Sequence, residues 1–172
     1  MSPAALPLVR IPVGIVVGRS KADSPWTDFV WRAVAVLPDG PDTKSWTVLR
    51  DEGGGTTLFY AGSTTVDLYS SETARYRDNL ASGSPSIWTV LSPSEGDWPY
   101  AVTAVTADPA EGEGFTEASD NLVEAVPMPE VLREAIESFV AEHHVEREFV
   151  KRKRRRADPE ALARREHEGG QE

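Results

Sequence analysis

Between residues 8 and 107 the apolar residues fall in short runs, each closed by glycine, proline, serine or aspartate, and this punctuation limits the region to strands joined by turns. Strands are predicted over residues 8–17, 29–37, 46–49, 57–60, 65–69, 87–91 and 100–107. The run at 29–37 carries Val and Trp at both alternating sets of positions, the pattern of a strand covered on each side. Asp51-Glu52-Gly53-Gly54-Gly55 separates two runs and reads as a flexible hairpin turn. At 65–69, Val66 and Leu68 alternate with Asp67 and Tyr69, which predicts a solvated edge.

The period changes in two places. Over 72–80, Tyr76 and Leu80 lie four apart, with Ser71 placed to cap a short helix and Gly83 to stop it. Residues 108–121 are acidic and contain glycine, so they read as a loop or a weak short element. Pro129 suits a first helical position, and Leu132, Ile136, Phe139 and Val140 follow at spacings of three and four. A long amphipathic helix is therefore predicted over 129–150, docked on the sheet by that stripe. Glu130, Glu134 and Glu137 near its start and the basic residues near its end both suit the helix dipole. Asp158-Pro159-Glu160 repeats the cap-then-proline pattern, which predicts a brief helix over 159–168 before Gly169-Gly170.

The expected fold class is thus α+β: an antiparallel β-rich body of about six or seven strands, a sandwich or partly open barrel, with one short internal helix and a long C-terminal helix. A chain of 172 residues fits one domain. Residues 1–150 are assigned to it, with the β-rich body at 8–126, and 151–172 form a basic and then mixed-charge tail.

Charge is distributed unevenly. Residues 1–146 hold 9 Lys and Arg against 22 Asp and Glu, a net −13, whereas residues 147–172 hold 9 against 6, a net +3. Such a body repels nucleic acid and anionic lipid, and the tail attracts either, or an acidic protein face. No apolar run reaches the roughly 20 residues needed to cross a bilayer. The first 17 residues carry Pro3, Pro7, Pro12 and Arg10 rather than the order of a secretory signal, so they are read as mature sequence.

The residue inventory narrows the chemistry. The absence of cysteine removes disulfides, thiolate metal sites and a cysteine nucleophile. His143, His144 and His167 are the three histidines and all lie near the C-terminus, so a Ser-His-Asp triad within the body is impossible. His143 and His144 point about 100° apart on a helix and cannot share a metal, while His144 and Glu148, at i,i+4, make an incomplete site. An ordinary polar or packed role is the simpler reading of both. Gly53-Gly54-Gly55 precedes Thr56-Thr57 without the lysine of a phosphate-binding loop, which leaves a turn. Trp26, Trp31, Trp46, Trp88 and Trp98 could stack bases, but stacking proteins pair such rings with a positive groove, and this body is negative. Most are read as packing. No catalytic residue, metal site or cofactor is assigned. The run Lys151, Arg152, Lys153, Arg154, Arg155 and Arg156, with His143 and His144, is the candidate partner-binding element, set against the plainer reading of a solvated end.

Certain short motifs resemble a known family. Ile11-Pro12-Val13-Gly14, Pro25-Trp26 with Trp31-Arg32, Ala35-Val36-Leu37-Pro38, Glu72-Thr73 with Tyr76 and Asn79-Leu80, Val126-Pro127-Met128-Pro129, His143-His144-Val145 and Phe149-Val150-Lys151-Arg152-Lys153-Arg154 are together similar to DUF3305, a small bacterial family of unknown function. The likeness covers about residues 8–158, most specifically from the Met-Pro pair to the basic run. It carries no catalytic residues. It implies a context beside molybdenum-dependent formate dehydrogenases and their maturation factors, hence a cytoplasmic, non-enzymatic accessory or assembly protein that binds a dehydrogenase subunit or a maturation factor. A nucleic-acid-associated regulator using the same basic run is the alternative.

Overall fold

The computed structural model describes residues 6–118 and 120–144. Strands β1 (Val9–Ser24), β2 (Thr27–Pro38), β3 (Thr47–Gly53) and β4 (Thr56–Leu68) come first; helix α1 (Thr73–Ala81) follows, then β5 (Ser86–Pro93) and β6 (Tyr100–Thr106). Helix α2 (Pro109–Ala118), β7 (Leu122–Pro127) and helix α3 (Glu130–His143) complete the order. The strands form two antiparallel sheets, one of four strands in the order β2-β1-β4-β3 and one of three in the order β6-β5-β7. The body is therefore antiparallel and strand-rich.

Strand β1 organises the first sheet because its residues satisfy both faces. Val13, Ile15 and Val17 enter the shared core, and Gly14, Val16 and Gly18 on the other face are also buried. That second face lies under Tyr60, whose hydroxyl donates to the Pro41 carbonyl at 3.0 Å. β4 packs on β6 and β2 on β7, so the two sheets enclose one core with Val66, Leu68, Ile87, Leu91, Val105 and Val126. Helix α3 adds Leu132, Ile136, Phe139 and Val140 to it, as its spacing predicts. Burying that stripe stabilises the helix by roughly 1.5–3 kcal/mol per large side chain.

Several expectations need correction. Strand β2 is not covered on both sides: Phe29, Val30 and Val34 are exposed, because β2 is an edge strand and, among the described residues, no helix covers its outer face. Runs 57–60 and 65–69 are one strand, since Gly62 sits within β4 opposite Ile15, at a bulge rather than a turn. Ser71 is not the cap of α1; it lies in a 3-10 turn, Ser70–Glu72, that feeds the helix without a side-chain cap. Residues 109–118, which read as a loop or a weak short element, form a helix. Asp108 accepts from the N–H groups of Ala110 at 2.9 Å and Glu111 at 3.4 Å, so it caps α2, with Pro109 behind it. Gly112, which argues against a helix in sequence, is there because the helix presses on β5: any Cβ at that position would fall inside the Trp88 side chain. β7 is unassigned in the sequence because its six residues follow directly on a segment whose pattern is ambiguous.

The last helix is also shorter than predicted. It closes at His143, and His144 leaves the helical region with φ −73° and ψ 89°. Residues 145–150, the basic run and the predicted helix over 159–168 lie outside the described residues.

Candidate partner-binding site

The two candidate histidines lie where α3 meets α1. Tyr76 of α1 meets Phe139 of α3 edge to face, with ring centroids 6.2 Å apart, and Phe139 in turn contacts the His143 ring at 4.5 Å. His143 Nε2 stands 3.8 Å from a Glu142 oxygen. His143 is thus a packed ring at the end of an apolar stripe.

His144 is fixed by hydrogen bonds. Its Nδ1 lies 3.0 Å from Thr73 Oγ1 and its Nε2 lies 3.2 Å from Arg77 Nη1. A guanidinium can only donate, so Nε2 accepts and Nδ1 carries the proton that goes to Thr73. The Thr73 hydroxyl then donates to the Ser70 carbonyl at 3.4 Å. This relay ties the end of α3 to the first turn of α1.

The polar groups around this junction have structural partners. The buried Asn79 amide donates to the carbonyls of Ser86 and Ala107 and accepts the Ser86 N–H. The Arg75 guanidinium reaches Asp108 at 3.1 Å, and that hydrogen bond with its charge attraction raises the arginine further above its usual value. Burial pushes the Tyr76 hydroxyl up to about 12, while its oxygen accepts the Tyr69 N–H at 3.0 Å. Glu111 is raised above the usual carboxylate range, first by desolvation and then by the Asp108 charge. Among the described residues no group of three or more acidic or histidine side chains converges as a metal site, and no buried side-chain polar atom lacks a partner.

A second cluster was missed by sequence reasoning. Trp31 of β2, Trp46 before β3, Phe59 of β4, Trp98 and Tyr100 come together where the sheets meet, with Trp46 stacked on Trp98 at 5.1 Å and 13°. Trp46 holds φ at 66°, a left-handed conformation costing a bulky residue about 1–2 kcal/mol. Its backbone N–H donates to the Tyr60 carbonyl. Arg19 of β1 lies over this cluster, 4.5 Å from the Phe29 ring centroid, 4.9 Å from Phe59 and 5.7 Å from Trp31. Register is the signal that could have found it, since Arg19 pairs with Trp31 on one side and Thr57 on the other. Of the remaining tryptophans, Trp88 lies under α2 and Trp26 stands exposed at the β1–β2 turn.

These features define a two-sheet α+β protein whose last described helix is locked to α1. The chain belongs to the family described as Protein of unknown function (DUF3305), which matches residues 12–154. No curated protein and no solved structure matches it. No helix among the described residues is long and apolar enough to cross a membrane.

Proposed function

We propose that this protein is a non-enzymatic accessory protein that acts by binding another protein through the segment that follows α3. The observation carrying this reading is the anchoring of His144 between Thr73 and Arg77. It fixes the point from which the chain continues. Lys151 stands seven residues further along the chain. A net −13 body joined to such a run is a charge arrangement suited to a partner with an acidic face. The use of the buried polar groups for caps and strand ends also favours binding over catalysis.

The first partners to test are the subunits and maturation factors of a molybdenum-dependent formate dehydrogenase, the context that the family resemblance implies. The experiment is an affinity capture with the full chain from cells producing that enzyme. Recovery of a subunit or maturation factor is expected, weakening as salt rises. Capture of neither, together with a shift of DNA or RNA at low salt, would favour the nucleic-acid reading instead.

A further inference from the structure

Strand β1 carries two cations, Arg19 and Lys21, that form no ion pair among the described residues. Arg10, Arg75 and Arg133 each face a carboxylate, at 3.9, 3.1 and 3.1 Å. Arg19 and Lys21 face none among the described residues, although residues 1–146 hold 22 acidic side chains against 9 basic ones. Both line an open cavity of about 480 Å³ with Phe29, Asp51, Thr57 and the glycines of the β3–β4 turn. Lys21 pairs with Phe29 across the sheet and its N–H donates to the Gly55 carbonyl at 3.2 Å, so the cavity sits level with the tip of the β3–β4 hairpin.

We propose that this cavity is a carboxylate-binding site in which the Arg19 fork takes the two oxygens and Lys21 supplies the second charge. Three features support it. Arg19 is held over the Phe29 and Phe59 rings, so little side-chain freedom remains to be lost on binding. A planar guanidinium matches a carboxylate bidentately, and the Thr57 hydroxyl adds a further donor. The charged residues lining the cavity are Arg19, Lys21 and Asp51, a net +1, which balances one carboxylate and leaves a phosphate dianion overcharged. Asp51 itself is oriented by the Gly53 N–H at 3.0 Å.

The carboxylate could come from a small organic acid or from an acidic peptide segment, and two probes separate them. The full chain labelled with nitrogen-15 is titrated with butyrate, with a tetraglutamate peptide, and with inorganic phosphate, while the Arg19 Nε–H resonance is followed. A saturable shift with at least one carboxylate probe is expected, stronger than with phosphate. Tighter binding of the peptide per carboxylate assigns the source to a polypeptide, and equal binding assigns it to a small acid. Lys21→Gln, an exposed change that leaves folding intact, and Arg19→Gln should each weaken the binding by roughly tenfold, the second followed through the shifts of Thr57 and Gly55. No saturable shift with either carboxylate, phosphate as the strongest probe, or undiminished binding in Lys21→Gln would each overturn the proposal.

Discussion

Asp108 caps helix α2 with one carboxylate oxygen while its other oxygen holds Arg75 of α1 at 3.1 Å, so a single side chain joins two helices that lie far apart in sequence. The two functions separate by substitution. Asp108→Ala removes the cap and should cost about 0.5–2 kcal/mol. Asp108→Asn keeps an acceptor for the Ala110 N–H and should recover most of that loss. Urea unfolding of the two variants decides it. Equal losses would mean that the charge on Asp108, rather than the cap, carries the effect.

Ile136 is fully buried in the shared core. Ile136→Ala should lower stability by about 2–5 kcal/mol, the cost of a core cavity. A loss below about 1 kcal/mol, the level of a surface change, would show that α3 is not docked.

The Tyr76 hydroxyl accepts a backbone N–H, so Tyr76→Phe leaves that donor without its acceptor and should cost about 1–3 kcal/mol. An alkaline signature accompanies it. The phenol keeps its proton to about 12 in the folded protein against 10.0 ordinarily, so between these values the folded state binds more protons and stability falls as pH rises. Unfolding measured across that range should fall less steeply in Tyr76→Phe than in the parent.

Glu111 has the same sign at acid pH. Its folded value is raised above 4.5 by desolvation and by Asp108, so its ionisation costs stability as pH rises through the window from 4.5 to that raised value. Glu111→Gln should therefore be more stable than the parent at neutral pH and indistinguishable below about pH 4. A gain that persists in acid would assign the effect to packing instead.

Reversal of Arg152, Lys153, Arg154 and Arg155 to Glu should move the melting temperature by no more than a few degrees and abolish partner capture, since a run of six cations cannot be buried unpaired. A larger fall would make the run an intramolecular clamp on the acidic body.

What the sequence disclosed follows from what its patterns report. The stripe of Leu132, Ile136, Phe139 and Val140 was legible because helical period reflects a single buried face. The Gly54-Gly55 turn was legible because both residues need positive φ, which glycine alone adopts without cost. Helix α2 was not, because Gly112 answers a neighbour, Trp88, that is 24 residues away in the chain. The Asp108-Pro109 pair is its start signal, the same one noted at Asp158-Pro159. The ring cluster over Arg19 was illegible for a related reason: strand register, which brings Arg19 beside Trp31, depends on turn positions and bulges that composition does not encode. For His144 a polar or packed role was the simpler reading, but its partners were not legible, because nothing local announces that Thr73 will meet it.

The central place of β1 bears on how the chain is made. During synthesis β1 can close on β2 as soon as their turn has emerged, but its other edge waits for β4, whose pairing begins at Thr56 and ends at Leu68. At ribosomal speeds of about 5–20 residues per second, the 30 residues from Pro38 to Leu68 leave that edge unpaired for roughly 1.5–6 s. Six successive residues, Val13 to Gly18, that are buried in the finished protein stand uncovered meanwhile, with no charge among them. A nascent chain stalled in this interval presents a sticky ribbon, and holding chaperones or neighbouring chains on the polysome have their best opportunity to seize it then.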